Sequence, residues 1–208
     1  MGKKALSLYQ EPRLVIYDSG IGGESIFKKS KNFFKNTVFF QDQGNFPYGN
    51  KDFESLSKIF LSNLKKLSLK ENDILVLACN TISCVYLDLL DQLNANYKVL
   101  YILEHVIQSV FEDRVVLCTS YTSNFLNKLN IKNLAIDNLA CLIEKKDVAN
   151  ILKHLLNIVI HEKNVIYGCT HYPIIENILK KKYLNKNFIN PEEKLILDIK
   201  KNIGLIKC

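Results

Sequence analysis

Short runs of consecutive apolar residues alternate along this chain with longer stretches in which apolar positions recur every three or four residues. The runs LVIY (14–17), TVFFQ (37–41), ILVLA (74–78), VLYIL (99–103), RVVLC (114–118), LAI (134–136), NVIY (164–167) and NFI (187–189) read as strands. Between them the spacing predicts amphipathic helices over about 24–33, 52–68, 82–93, 121–129, 147–161, 173–183 and 192–203. Strands apolar on both faces must be covered on both faces, and intervening helices supply that cover. The expected fold class is therefore α/β with mostly parallel sheets.

The pattern also repeats, loosely. LVIYDSGIGG (14–23) opens one half and RVVLCTSYTSN (114–124) opens another, while ILVLACNT and NVIYGCTHYP each end a later strand in a cysteine. The paired strands lie 100 residues apart in one case and 90 in the other. Two similar lobes are expected, related by a pseudo-two-fold axis: 14–97 plus 189–208 for the first and 98–188 for the second. Ligands of open α/β sheets bind beyond the carboxyl ends of the strands. That edge carries both cysteines, which places the expected site in the cleft between the lobes.

Composition narrows the classes. A chain of 208 residues makes one compact domain or two small lobes sharing a core. No apolar span is long enough to cross a bilayer, and the opening MGKKALSLYQEPR has no signal-peptide core, so a cytoplasmic protein without a membrane partner is expected. The formal charge of +7 comes from scattered lysines, with short runs only at Lys145–Lys146 and Lys180–Lys182, so no nucleic-acid partner is expected. Six cysteines in a chain of this size, without an export signal, read as free thiols. Cys118 and Cys141 read as core, Cys84 as a helix position near a site, and Cys208 as a chain end.

Four segments carry candidate chemistry. DSGIGG (18–23) follows a strand and precedes a helix; it matches neither GxGxxG nor GxxxxGK[ST], yet its glycines permit a tight turn and close approach of main-chain N–H groups. QDQGNFPYGN (41–50) is a polar loop at the same sheet edge, a wall or lid for a site. In ACNTIS (78–83), Cys79 stands where a strand ends and a helix opens, where unpaired N–H groups favour a thiolate. Taken alone such a cysteine is more often a small buried hydrophobe. GCTHYP (168–173) repeats the arrangement with His171 two residues from Cys169. Paired CxxC ligands for zinc, a redox CxxC and a GxSxG elbow are all missing, and no metal is expected. A lone Cys–His nucleophile would leave the second strand-end cysteine unexplained.

Together YDSGIGG, FPYGN, CNT, TSYTSN and GCTHYP are similar to the glutamate racemases of the aspartate/glutamate racemase family, in order and approximate spacing from about residue 14 onward. The resemblance implies cofactor-independent racemisation of glutamate by two cysteines, supplying D-glutamate for peptidoglycan. Cys79 would take the α-proton of the D-isomer and Cys169 that of the L-isomer. Asp18 and His171 match the groups that set each thiol's protonation, and Glu144 matches an acidic assistant beside His171. Asp18, Ser19, Tyr48, Gly49, Asn80, Thr81, Thr170 and His171 match positions that hold substrate, with Thr119 and Thr122 contributing. Free cysteine titrates near ~8.5, so modest tuning would let one thiolate and one thiol coexist near neutrality. The resemblance allows a homodimer. The sequence departs from the family pattern at Gln43–Gly44–Asn45, at Glu104–His105 and at NPEEK (190–194), and it is shorter than typical members. An aspartate racemase, or a racemase-like binding module without turnover, remain the alternatives.

Overall fold

A computed structural model describes residues 11–206, so Cys208 lies outside the described residues. Eight strands occur among them: β1 (Leu14–Asp18), β2 (Thr37–Gln41), β3 (Ile74–Leu77), β4 (Lys98–Tyr101), β5 (Arg114–Cys118), β6 (Asn133–Ala135), β7 (Asn164–Gly168) and β8 (Asn187–Ile189). The helices are α1 (Glu24–Lys31), α2 (Phe53–Leu67), α3 (Asn80–Asp88), α4 (Ile102–Ile107), α5 (Ser120–Lys128), α6 (Leu139–Glu144), α7 (Val148–Leu155), α8 (Glu176–Lys182) and α9 (Glu192–Asn202).

The strands form two four-stranded sheets, ordered β2-β1-β3-β4 and β6-β5-β7-β8, with every pairing parallel. The two orders are the same winding used twice. β1 and β3 in one sheet occupy the positions of β5 and β7 in the other, as the sequence echo predicts. Val15, Tyr17, Leu75 and Leu77 face one apolar cluster, while Leu14, Ile16 and Val76 face another, so the first sheet is buried on both sides. A further cluster joins Cys84 of α3 and Leu103 and Val106 of α4 to Val116, Cys118 and Ile166 of the second sheet. The lobes therefore share a core, and the strand ends are fixed relative to each other.

Three expectations are corrected. β4 pairs with β3, so the strand near residue 98 belongs to the first sheet, and the boundary drawn at 97/98 falls one strand early. The run VLYIL ends as a strand at Tyr101, and Ile102–Ile107 is helix α4, with Ile102, Leu103 and Val106 buried. A short apolar run does not by itself separate a strand from a buried helix. Helix α6 was not anticipated, and the helix expected over 147–161 stops at Leu155. The C-terminal helix α9 packs on α1, α4 and β4, and Glu192 at its start accepts from Ser25 Oγ at 2.7 Å and pairs with Lys29 at 2.8 Å. Among the described residues no helix is long and apolar enough to cross a membrane.

β1 and β3, which lead to Asp18 and Cys79, are tied together at their starts. Asp73 accepts from Arg13 N (2.8 Å), Nε (3.1 Å) and an Nη (2.6 Å), and from Lys70 N (2.9 Å). Burial opposes its charge, but the Arg13 side chain and the N–H groups of Lys70 and Arg13 outweigh burial and hold the pKa below 3.8. A depressed carboxylate pKa adds stability that is complete above the unfolded value and vanishes as pH falls through the folded one. Asp73→Asn is therefore expected to cost about 2 kcal/mol at pH 7 in urea unfolding. The gap to wild type should shrink below pH 4; a gap that widens in acid would contradict the assignment.

Candidate active site

Parallel strands end on the same side of their sheet, so one edge gathers the residues that follow β1, β3, β5 and β7. In this structure those edges face each other across a cavity with about 470 Å³ of free space, its mouth included. Cys79 and Cys169 both line it, each 7 % exposed and each a free thiol. Ser19, Gly49, Asn80, Thr81, Thr170 and His171 line it as well, as does Thr119. Gly49 is required there by close approach, because a Cβ at that position would sit 2.6 Å from Thr119 Cβ of the opposite lobe.

On the first-lobe side, Cys79 caps the start of α3 in an extended conformation. Burial pushes its thiol up to about 12, and the nearby Asp18 carboxylate pushes in the same direction. The N–H groups of Ile82 and Thr81 and the Ser19 hydroxyl, 3.7 Å from the sulfur, partly oppose this. Asn80 is 2 % exposed, yet neither its Oδ1 nor its Nδ2 has a partner among the described residues. A buried amide without partners costs stability unless something binds it.

On the second-lobe side, His171 Nδ1 lies 4.0 Å from Cys169 Sγ and His171 Nε2 lies 2.6 Å from Glu144 Oε2. Glu144 ends α6 and also accepts from Ile21 N of the other lobe at 3.1 Å. Burial opposes its charge, but His171, the Ile21 N–H and the Gln43 side chain together bring its pKa below 4.5. Cys169 is pushed well above the ordinary thiol range by burial, with only the His171 N–H working against it before the charges of Cys79 and Asp18 add. Asp18, wholly buried, accepts from Gly20 N at 2.9 Å and from Thr170 Oγ1 at 3.0 Å. Burial raises its pKa despite the opposing His171, Gly20 and Thr170.

The modest tuning expected of the two thiols is not what burial supplies, since it pushes both well upward. Both sulfurs are desolvated, and desolvation favours the neutral form. Tyr48 lines the cavity, but its hydroxyl is turned into the first lobe, donating to Asp42 at 2.5 Å and contacting Tyr17 Oη at 2.7 Å. It therefore positions the wall and offers substrate no hydroxyl. Thr122 is fully buried and receives a hydrogen bond from Thr119 at 3.2 Å without lining the cavity. Cys141, expected in the core, is half-buried on the cavity wall. Sequence reasoning missed Phe46, whose ring lies 5.4 Å from the His171 imidazole at a 35° tilt, and Asn138, which accepts from Asn50 Nδ2 across the cleft at 3.2 Å. Only the FPYGN match pointed at the first; nothing in the pattern pointed at the second. Among the described residues no group of three or more His, Cys, Asp or Glu is arranged to hold a metal ion.

No family model matches the chain. It is 36 % identical to the glutamate racemase of Borreliella burgdorferi over 191 residues, covering 80 % of this chain and 72 % of that protein. The chain belongs to the glutamate racemase family. A glutamate racemase from Buchnera aphidicola is 28 % identical over 218 residues, covering 90 % of this chain and 82 % of that protein. The fold is that of solved glutamate racemases. The Campylobacter jejuni structure aligns with a TM-score of 0.73 at 24 % identity, covering 92 % of this chain and 86 % of that one. The Thermus thermophilus structure, in complex with beta-chloro-D-alanine, aligns with a TM-score of 0.74 at 21 % identity, covering 93 % and 81 %.

In this family member the raised thiol pKa values and the burial predict an order of reactivity. With iodoacetamide at pH 7, Cys141 should be carbamidomethylated well before Cys79 or Cys169, as read by peptide mass spectrometry. Labelling of Cys79 or Cys169 should accelerate steadily above pH 9. Faster labelling of either at pH 7 would mean that burial does not hold these thiols protonated.

Proposed function

We propose that this chain interconverts L- and D-glutamate without a cofactor, using Cys79 and Cys169 as acid and base on opposite faces of the α-carbon. The observation carrying this reading is that two free cysteines, one from each of two equivalent strand ends, line a single cavity. Family membership supports the substrate, and a product D-glutamate would serve peptidoglycan synthesis.

The atoms balance in either direction. A Cys169 thiolate takes the α-proton of L-glutamate, the C–H electron pair stays on carbon, and the Cys79 thiol delivers its proton to the other face, becoming the thiolate. D-glutamate runs the same steps in reverse. The first thiolate is costly in this desolvated cleft, and the substrate ammonium is the cation that enters to offset it. Charge developing on the α-carboxylate needs donors aimed at it, and Asn80, with its unpartnered amide, together with the N–H groups opening α3, supplies them. Asp18 and Ser19 serve Cys79, and the Glu144–His171 pair serves Cys169. In Thr170 the hydroxyl proton is committed to Asp18, so its oxygen is left to accept from the ammonium.

Cys79→Ser and Cys169→Ser should each reduce racemisation more than about 1000-fold, because a serine hydroxyl is far too weak an acid or base here. The circular-dichroism spectrum of the fold should be unchanged, and full activity in either variant would defeat the two-base assignment. Substrate choice is read by α-proton exchange in heavy water. Glutamate should exchange and aspartate should lag far behind. Exchange of aspartate alone would move the chain to the aspartate branch, and binding of glutamate without exchange would make it a binding module.

A further inference from the structure

The segment Gln43–Phe46, where the sequence leaves the family pattern, covers the Glu144–His171 pair from the opposite lobe. Phe46 lays its ring against the imidazole, 5.4 Å between centroids. Gln43, on the same segment, accepts at Oε1 from Gln41 Nε2 at 2.6 Å, and its side chain helps to lower the Glu144 pKa. Ile21 N donates to the same carboxylate. Glu144, His171 and Cys169 belong to one lobe, while Ile21, Gln43 and Phe46 belong to the other. Cys79 has no such arrangement; its neighbours are Ser19 and the opening N–H groups of α3.

We propose that Gln43 and Phe46 are positioning residues, a first-lobe cap that readies the Glu144–His171 pair for proton transfer at Cys169 and takes no part in transfer at Cys79. The proposal rests on the racemase reading above. An aromatic ring against the imidazole keeps water from one face and fixes the plane in which its two nitrogens point. An amide donor on the partner carboxylate keeps it ionised and holds its orientation. The relay at Cys169 thereby draws on side chains of both lobes, whereas the neighbours of Cys79 come from the first lobe.

Kinetic isotope effects test this, because loss of fold or of general binding leaves them unmoved. L- and D-glutamate have equal free energies, so kcat/KM must fall by the same factor in both directions in any variant. What changes is which proton transfer limits the rate. The expected fall is about threefold for Gln43→Ala and about tenfold for Phe46→Leu, the scale of a weakened contact to a charged group. With α-deuterated L-glutamate, whose deuteron goes to Cys169, the isotope effect on kcat/KM should grow in both variants. With α-deuterated D-glutamate, whose deuteron goes to Cys79, it should shrink. If Phe46→Leu does not fold, Gln43→Ala alone carries the test, since Gln43 lies on the surface. Wild-type racemisation with isotope effects unchanged, or shifted the opposite way, in the variants overturns the cap alone. A wild-type chain that racemises neither enantiomer overturns the racemase reading and the cap together.

Discussion

A carboxylate with no exposure to water is held between the two sheets. Asp18 ends β1, and its burial would be costly unless its oxygens were satisfied, so the surrounding chain is arranged around that requirement. One oxygen takes Gly20 N, which folds the DSGIGG segment into its turn; the other takes Thr170 Oγ1 from the opposite lobe. The turn then presents Ile21 N to Glu144, Glu144 holds His171, and His171 stands beside Cys169. The chain of contacts leaves the first lobe at Asp18 and at Ile21 and returns through residues 169–171. Gly20 has no room for a side chain in this ring, since a Cβ there would lie 2.6 Å from Glu144 Oε2. The Cys169 sulfur thus takes its place from a polar ring that closes across the lobes, while Cys79 meets it only through Ser19 beside Asp18.

The same closure sets the electrostatics. Water excluded from the cleft strengthens every charge interaction in it and raises the cost of an isolated thiolate. Burial accordingly pushes both Cys79 and Cys169 towards the thiol form, with Asp18 adding to the penalty for both. On the proposed reaction the ammonium group of the substrate is the missing cation, so reactivity is conferred by the molecule that needs it. A thiolate exposed at rest would be open to oxidation and alkylation; a buried thiol that ionises only opposite an ammonium is not.

Much of this is legible in the sequence. Parallel pairing followed from runs such as LVIY and ILVLA, whose apolar character on both faces has no other economical explanation, and the strand-end cysteines followed from the echo between ACNT and GCTH. What escaped were features that depend on a partner distant in the chain. Tyr48 matches a substrate-holding position, but the sequence does not show that its hydroxyl is turned to Asp42 and Tyr17, where Asn63 Nδ2 also reaches Asp42 at 2.8 Å and Tyr17 at 2.9 Å. Cys141 looked like core because α6 was not recognised. VLYIL looked like one strand because the change from strand to helix at Ile102 is made by packing of Leu103 and Val106 against the second sheet. The thiol pKa values escaped for the same reason: burial is a property of the assembled cleft, and the helix-start argument at Cys79 counted only the local N–H groups.

The duplicated winding and the unequal surroundings of the two sulfurs need to be reconciled. A reaction between mirror images has no net driving force, so nothing requires the two proton transfers to be equally fast, only that their combined barrier be the same in both directions. Equivalent strand ends bring one sulfur from each lobe to a single cavity, which is the geometry the proposed reaction asks for. Each lobe then solves its acid–base problem with what its own sequence offers. The first uses a helix start, Ser19 and a buried aspartate; the second uses an imidazole and a glutamate that depend on contacts from the first. Because Glu144 draws on Ile21 across the cleft, the Cys169 side depends on both lobes, whereas the helix start beside Cys79 belongs to the first alone. With position symmetric and support asymmetric, a change in the first lobe near Ile21 would bear on one half of the proposed reaction more than on the other.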